Sequence, residues 1–426
     1  MSEIAFCVCI TRTSSWKRFY ILRVPALITT KRRFEKITLI FIKILKFKQN
    51  KARETQSVSF GSTFSFRKEK VEGGYMNKIE ILQTRLPEGV DAFLTTDGVT
   101  RFYLTGFKSS NGFLFVTKKG AHFFTDFRYI EAAEKECVGC TVSAGSRKEA
   151  LAKIVAEENI KTIAFEDDIV TVAALEGLKK EFADCAFVSI GDAVKGMMEF
   201  KTPEEMAKVR KAQEITDKAF AAVLPLLRPD MTETDVAAEL EYQIKKFGAS
   251  DKSFDTIAVS GTNSARPHGV PRPVQLEKGF LTMDFGCIYG GYCSDMTRTV
   301  VIGKADADMK KVYNTVLDAQ LAAIAAVKEG ITGAELDKIA RDLIYGAGYE
   351  GCFGHGLGHG VGLLIHEPLF ISARGDKPLT KGHIFTIEPG IYLKGKYGVR
   401  IEDMIQMTEN GPLDITHSPK ELIEII

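Results

Sequence analysis

The sequence predicts a mixed α/β (α+β) protein, with a small α/β domain followed by a larger domain of two similar halves. Strand-like and helix-like segments alternate from residue 76 to about 198. A helix-initiation signal, Thr202-Pro203-Glu204-Glu205, follows at once and combines a capping residue, proline at the first helical position and a capping-box glutamate. The helix–turn–helix pattern that this signal opens recurs about one hundred residues later. We therefore predict domains at 76–198 and 199–426.

Residues 1–75 form a basic segment with sixteen Lys and Arg against five Asp and Glu. Its longest apolar run, 37–42, is too short to span a bilayer. The stretch Glu72-Gly73-Gly74 can be encoded by a purine-rich ribosome-binding sequence, and Met76 follows at a suitable spacing. We expect residues 1–75 to be a non-native or disordered basic extension. The alternative is an arm that binds nucleic acid.

The first domain is predicted from six strand-like segments and two helix-like ones. The strands are 90–96, 112–117, 121–126, 141–145, 162–167 and 186–191, and the helices are 128–136 and 170–183.

The second domain carries a weak internal repeat. A helix that we expect to reach Leu227 is followed by a second helix opening after Thr232, and the same pattern returns after Thr332. Both second helices run into a glycine, Gly248 or Gly348. The repeat predicts two similar halves related by a pseudo-twofold axis.

Two aspartates lie on a predicted β-hairpin at 279–303. A turn centred on Tyr289–Gly290 places Asp284 and Asp295 opposite each other, whereas a turn centred on Gly290–Gly291 places them diagonally. Both registers put the carboxylates on one face, because side chains alternate along a strand. Apolar neighbours indicate burial, and two buried carboxylates repel each other unless a cation lies between them. The pair is a candidate metal site.

A second acidic pair follows in 382–407. Glu388 ends an apolar strand before Pro389-Gly390, and Glu402 lies in VRIEDMI, where alternation puts Arg400, Glu402 and Met404 on one face. By itself Glu402 fits a surface ion pair as well as a metal site.

The stretch GHGLGHGVGLLIHE (354–367) places glycine at every even position from 354 to 362. The spacing of His355 and His359 would suit a metal-binding helix, but the glycines disfavour a helix by roughly 1 kcal/mol each. In an extended segment the bare face admits another backbone, while the histidines project into a pocket.

Together these residues resemble the dinuclear metallopeptidases of the pita-bread fold, and most closely their Xaa-Pro aminopeptidase and prolidase branch. The segments FYLTGF (102–107) and TDFRY (125–129) resemble that branch's creatinase-type N-terminal domain. The resemblance implies a metal-ligand set of Asp284, Asp295, His359, Glu388 and Glu402.

Two divalent ions are expected, with Mn²⁺ favoured over Co²⁺ or Zn²⁺ because the ligands are mainly carboxylate oxygens. In the implied arrangement Asp284 chelates one ion, Asp295 and Glu402 bridge both, and His359 completes the second with Glu388. Such a pair can activate water and polarise a carbonyl. Glu388 is also implied to be a catalytic proton shuttle.

Five further residues match positions near the family's substrate. His268 and His366 are implied to be catalytic and to hydrogen-bond the carbonyl or the tetrahedral intermediate. The implied substrate-binding residues are His355, Tyr392 and Arg400. Arg266 departs from the smaller residue that is common in relatives, which leaves the detail of the substrate entrance open.

The implied function is metal-dependent removal of an N-terminal residue that precedes proline, from a dipeptide or a longer peptide. Methionine aminopeptidase is one alternative, and a non-catalytic peptide-binding protein of the same fold is another. A homodimer is expected by resemblance, with no nucleic-acid or membrane partner.

The eight cysteines form no disulfide framework, and Cys137–Cys140 is a lone CxxC pair that lacks the second pair of a zinc site. Unpaired thiols and no export signal predict a cytoplasmic protein.

Overall fold

The computed structural model describes residues 77–426, together with four short strands nearer the N-terminus. Strand β1 (Glu3–Ile10) pairs antiparallel with β2 (Arg18–Pro25). Strands β3 (Lys70–Val71) and β4 (Gly74–Tyr75) also pair. The prediction of a basic extension over 1–75 otherwise lies outside the described residues and stays a prediction.

A six-stranded mixed sheet forms the centre of residues 77–198, in the order β10-β9-β5-β6-β7-β8. Each predicted strand segment contains a strand: β5 (Ala92–Thr95), β6 (Phe113–Thr117), β7 (Ala121–Thr125), β8 (Thr141–Ala144), β9 (Thr162–Phe165) and β10 (Ala186–Ser189). The helices are α1 (Lys78–Arg85), α2 (Gly98–Thr105), α3 (Ile130–Glu136), α4 (Arg147–Glu157), α5 (Val172–Glu181) and α6 (Ala193–Met198). Helices α3 and α5 were predicted, and FYLTGF begins on α2.

Helix α7 (Pro203–Val223) begins at the predicted signal. The Thr202 Oγ1 accepts the Glu205 N–H at 3.3 Å, and Glu205 Oε2 accepts the Thr202 N–H at 2.8 Å. The helix ends four residues before the predicted Leu227, and a 3₁₀ turn at Leu224–Leu226 follows. Pro225 explains the difference, because it has no N–H for an α-helical hydrogen bond.

The two halves of the second domain repeat the same start. Helices α8 (Glu233–Lys246) and α10 (Gly333–Gly346) each begin after the predicted threonine, which forms a capping box in both, and α9 (Ala307–Ala326) precedes α10. Thr232 forms an isolated antiparallel β-bridge with Gln275, and Thr332 forms the equivalent bridge with Pro378 in the other half. No helix within 77–426 is both long and apolar enough to cross a membrane.

Four sheets build the rest of the second domain, in the orders β12-β13-β16-β24, β18-β17-β19-β22-β23, β11-β14-β15 and β20-β21. Their strands are β11 (Asp251–Lys252), β12 (Ile257–Ser260), β13 (Gly279–Phe285), β14 (Cys287–Tyr289), β15 (Tyr292–Cys293), β16 (Met296–Ile302), β17 (Gly358–Gly360), β18 (Glu367–Ile371), β19 (Ile384–Ile387), β20 (Gly390–Leu393), β21 (Tyr397–Arg400), β22 (Asp403–Thr408), β23 (Gly411–Asp414) and β24 (Glu424–Ile425).

The turn between β14 and β15 packs against the first domain. Gly291 has a φ of +88°, and a Cβ on it would lie 2.3 Å from Cε1 of Phe102 on α2. Nearby, Lys78 of α1 contacts the Glu205 carboxylate, which also accepts the Tyr292 hydroxyl at 2.6 Å. The first domain therefore supports the hairpin that continues from β13 to β16.

Replacing Gly291 with alanine is expected to destabilise the protein more than replacing Gly303 with alanine, by roughly 1–3 kcal/mol of unfolding free energy. Gly303 has the same φ of +88°, but nothing lies within 4 Å of its Cβ position. The difference between the variants isolates the Phe102 contact from backbone strain. Denaturant unfolding measures it, and equal effects would contradict the contact.

Candidate metal and peptide site

The first acidic pair lies where β13 and β16 meet. Asp284 on β13 pairs opposite Thr297, and Asp295 precedes β16, so the diagonal register is the one observed. Tyr289 pairs with Tyr292, which centres the turn on Gly290–Gly291. Both aspartates are buried, at 8% and 4% exposure, as their apolar neighbours predicted.

The second acidic pair approaches from the other half. Glu388 follows β19 directly, as predicted. The segment VRIEDMI is two strands and not one, because β21 ends at Arg400 to pair with β20, while β22 begins at Asp403 to pair with β19. Glu402 lies between them, and its N–H donates to the Thr297 carbonyl at 3.1 Å. This bond joins the two acidic segments.

Within the histidine-rich segment only residues 358–360 form a strand, β17, whereas residues 362–366 bend, so the predicted extended conformation is confirmed for that strand alone. A Cβ on Gly358 would lie 2.0 Å from the Thr386 carbonyl oxygen, so the bare face of β17 packs on the backbone of β19. On the other face, His359 donates Nδ1–H to the Gly360 carbonyl at 3.1 Å. Its Nε2 faces Asp295 Oδ2 at 3.5 Å and Glu388 Oε1 at 3.4 Å.

The electrostatics of this cluster are unfavourable for carboxylates alone. Burial, and then the neighbouring acids, raise the pKa values of Asp295 and Glu402, and burial raises the pKa of Glu388 to about 8. Burial, and then His366, lower the pKa of His359 to about 4. The neutral His359 ring therefore directs its Nε2 lone pair toward the carboxylate oxygens of Asp295 and Glu388. A cation bound between these electron-rich atoms would relieve their repulsion.

Divalent ions fit these donors. Ligand atoms of Asp295, His359 and Glu402 lie within 4.8 Å of one another. Asp284 Oδ1 is buried without a hydrogen-bond partner, although Oδ2 accepts from Arg400 at 2.6 Å. Oxygen-rich ligands with one imidazole suit hard or borderline cations. The structure thus gathers the five predicted ligand residues around one buried site, and their individual assignments stay predictions.

The buried Arg400 guanidinium connects the two acidic segments through hydrogen bonds. It donates to Asp284 Oδ2, to Thr297 Oγ1 at 3.0 Å and to the Tyr392 hydroxyl at 2.7 Å. Thr297 in turn donates to Glu402 Oε2 at 2.7 Å. Sequence reasoning missed Thr297, although strand alternation places it on the same face as Asp295.

His355 and Tyr392 are bonded to each other. His355 donates Nδ1–H to the Gly356 carbonyl at 2.8 Å, so its Nε2 accepts the Tyr392 hydroxyl at 2.9 Å. Burial, and then Arg400, lower the His355 pKa to about 4, so the ring is neutral near pH 7. A hydrogen-bonded chain therefore runs from Arg400 through Tyr392 to His355. The substrate-binding assignment of these three residues stays a prediction.

The two predicted catalytic histidines, His268 and His366, lie on the solvent-exposed side of the site. The His366 ring centroid is 4.3 Å from that of His359. Burial, and then His268, lower the pKa of His366. Both residues are exposed, so a ligand can reach them.

Replacing Arg400 with lysine is expected to weaken metal affinity by about 10- to 100-fold, because one ammonium cannot hold Asp284, Thr297 and Tyr392 together. Metal titration calorimetry measures the change. Replacing the exposed Arg374 with lysine is the control and should leave the affinity unaltered. An unaltered affinity in the Arg400 variant would contradict the positioning role.

A buried carboxylate–histidine cluster between two similar α/β halves is the kind of site that holds divalent metal ions. Residues 207–409 match the model of metallopeptidase family M24, and residues 79–197 match that of the creatinase/prolidase N-terminal domain. The chain belongs to metallopeptidase family M24 and has the pita-bread fold of that family behind a creatinase-type domain. It is a metallopeptidase that uses divalent metal ions.

Individual proteins are similar over nearly their whole length. The peptidase YqhT of Bacillus subtilis is 40% identical over 338 residues, which are 79% of this chain and 96% of that protein. The solved Xaa-Pro dipeptidase from Bacillus anthracis is 41% identical with a TM-score of 0.79, covering 82% and 99% of the two chains. The X-Pro aminopeptidase from Thermotoga maritima is 38% identical with a TM-score of 0.76, covering 81% and 100%.

Proposed function

We propose that the chain is an Xaa-Pro exopeptidase that hydrolyses the bond between an N-terminal residue and a following proline. The observation that carries this proposal is the convergence of Asp284, Asp295, His359, Glu388 and Glu402 on one buried site beside His366. Similar proteins named Xaa-Pro dipeptidase and X-Pro aminopeptidase support the same specificity. They do not favour methionine aminopeptidase or a non-catalytic binding role.

The five residues would hold two divalent ions, and Mn²⁺ is the proposed metal because four of the five ligands are carboxylates. Bound there, the ions supply an activated water and a polarised scissile carbonyl. Asp284 offers its unpaired Oδ1, and His359 offers Nε2 because Nδ1 is already donated to a carbonyl. Arg400 and Thr297 keep the carboxylates in place.

Glu388 is the proposed proton carrier. Its Oε1 accepts the Thr386 hydroxyl at 3.2 Å, which orients the carboxylate beside His359. It takes a proton from the attacking water and delivers it to the leaving proline nitrogen. Thr386 was not predicted, although it lies two residues before Glu388 on the same strand face.

The open side of the site would hold the peptide. A neutral His366, together with His268, donates hydrogen bonds to the substrate carbonyl and to the oxyanion that develops on it. A peptide bond to proline has no N–H. Recognition through the carbonyl suits this bond, whereas a site that needs a peptide N–H fails. His355, Tyr392 and Arg400, which form one hydrogen-bonded chain, are the proposed substrate-binding residues.

Three finer proposals accompany the reaction. We propose a homodimer, testable by analytical ultracentrifugation, and a cytoplasmic location, which the six free thiols in 77–426 support. The domain limits at 76–198 and 199–426 are proposals that limited proteolysis tests.

The deciding experiment measures hydrolysis of Ala-Pro, Ala-Pro-Ala and Met-Ala-Ser by the metal-stripped full-length chain, before and after adding Mn²⁺. We expect Mn²⁺-dependent cleavage of a proline substrate, and the preferred length separates dipeptidase from aminopeptidase. Cleavage of Met-Ala-Ser alone would transfer the chain to the methionine branch. Binding of two ions without cleavage of any peptide would refute the proposal.

A further inference from the structure

A buried ion pair lies outside the carboxylate cluster, between Lys201 and Glu367. Lys201 precedes α7, and Glu367 begins β18 directly after His366. Both side chains are only 2% exposed. Because two charges removed from water gain little net stability from each other, a buried pair is more informative about position than about folding energy.

The Lys201 side of the pair is fixed by several bonds. Its backbone N–H donates to the Gly382 carbonyl at 2.9 Å, and its Nζ donates to the Glu199 carbonyl at 3.2 Å as well as to Glu367 Oε2. The Glu199 side chain is itself paired with Lys377 at 2.9 Å. These bonds fix the position of the Lys201 ammonium, which in turn fixes the Glu367 carboxylate.

The Glu367 side closes the loop that carries His366. Oε1 accepts the Leu363 N–H at 2.9 Å, so one carboxylate joins both ends of 363–367. This needs a glycine at 362, where a Cβ would lie 2.1 Å from Oε1. The Gly362 carbonyl also accepts the Cys293 N–H at 2.8 Å, which ties the loop to the hairpin of the first acidic pair.

We propose that Lys201 and Glu367 are positioning residues that set the place of the His366 ring. The inference rests on the proposed function for its kinetic consequence. Neither side chain is exposed to a substrate, whereas His366 is exposed and adjoins His359. The pair fixes the base of the loop 363–367, so the position of His366 at its end depends on the pair. A displacement of about 1 Å in a reacting group can cost on the order of 100-fold in rate.

The first test replaces both partners by apolar residues, Lys201→Met with Glu367→Leu, which leaves no unpaired charge. We expect kcat for the best substrate of the peptide panel to fall by about 10- to 100-fold, with Mn²⁺ affinity within twofold of the parent. In a His366→Ala background the same pair of changes should lower kcat by less than twofold. Equal losses in both backgrounds would show a general structural role and overturn the proposal.

The second test is independent of peptidase activity. The chain has seven histidines, so ¹³Cε1-histidine labelling gives a countable NMR spectrum in which His366→Ala identifies one signal. We expect the double substitution to shift or broaden the His366 signal and leave that of the distant His122 unaltered. An unaltered His366 signal would overturn the positioning proposal, whether or not the parent cleaves a peptide. Absence of cleavage by the parent would instead refute the proposed function.

Two further variants complete the design. Glu367→Asp keeps the charge opposite Lys201, so this variant should fold. Its side chain is too short to reach both Lys201 and the Leu363 N–H, so kcat should still fall. Full kcat in that variant would overturn the proposal if the double variant failed to fold. Lys338→Gln with Asp342→Asn removes an exposed ion pair on α10 and is the control for loss of paired charge.

Discussion

Replacing Asp295 with asparagine is expected to lower kcat/KM for Xaa-Pro peptides by at least about 10³-fold, because metal-ion catalysis supplies several kcal/mol of transition-state stabilisation. Asp295 shares a 4.8 Å cluster with His359 and Glu402, and asparagine removes one negative charge from it. Metal content, measured by elemental analysis after dialysis, should fall together with activity. Steady-state kinetics on Ala-Pro or Ala-Pro-Ala provides the rate.

The matched control is Asp318→Asn, an exposed aspartate on α9, which should change neither activity nor metal content. The metal-free Asp295 variant should be at least as stable as the metal-free parent, because burial and the neighbouring acids disfavour the charged carboxylate, and asparagine carries no charge. A variant that keeps its metal and more than about a tenth of the parent's activity would exclude Asp295 as a ligand whose charge is needed.

The metal-free protein is expected to lose stability as pH rises from 7.5 to 9. Burial raises the pKa of Glu388 to about 8, whereas the same group in the unfolded chain titrates near 4.3. Between those values the folded state binds a proton that the unfolded chain has released, so unfolding becomes easier as pH rises. Over this interval Glu388 alone should lower the unfolding free energy by about 1 kcal/mol.

The interval is chosen to avoid opposing groups. Five histidines have lowered pKa values in the folded protein, and above pH 7.5 they are also largely neutral in the unfolded chain, where the pKa of histidine is near 6.5. They are His122, His355, His359, His366 and His383. Denaturant unfolding of the metal-free chain at several pH values measures the slope. Glu388→Gln should flatten it, and the exposed Glu350→Gln should not. Stability that rises through this interval in the parent would contradict the charge state assigned to the site.

Sequence patterns predicted the hairpin that carries Asp284 and Asp295 because its signals are local. Strand alternation put Asp284 and Asp295 on one face in either register, and apolar neighbours correctly indicated burial. The choice of register depended on the turn, and Gly290–Gly291 adopts positive φ at both positions, which suits a two-residue hairpin. The family resemblance then grouped His359 with the acids across 64 residues of chain, which no local pattern does.

The supporting contacts were not predictable in the same way. Thr297 joins Arg400 to Glu402, and Lys201 reaches Glu367 over a separation of 166 residues. Lysine before a helix and glutamate after a histidine are ordinary in sequence, so neither suggests a partner. The break between Arg400 and Asp403 was missed because strand alternation continues through VRIEDMI, although hydrogen bonding passes from one sheet to another.

The packing of Phe102 on Gly291, with Lys78 and Tyr292 sharing the Glu205 carboxylate, has a consequence for how the molecule can be divided. A fragment beginning near residue 199 would retain every proposed metal ligand, yet it would expose a glycine turn that lacks its aromatic cover and a buried glutamate that lacks its lysine. The two sequence-defined domains are thus expected to melt in a single cooperative transition. Exchange of first domains between relatives would need Phe102 and Lys78 to be transferred together with the turn that they support.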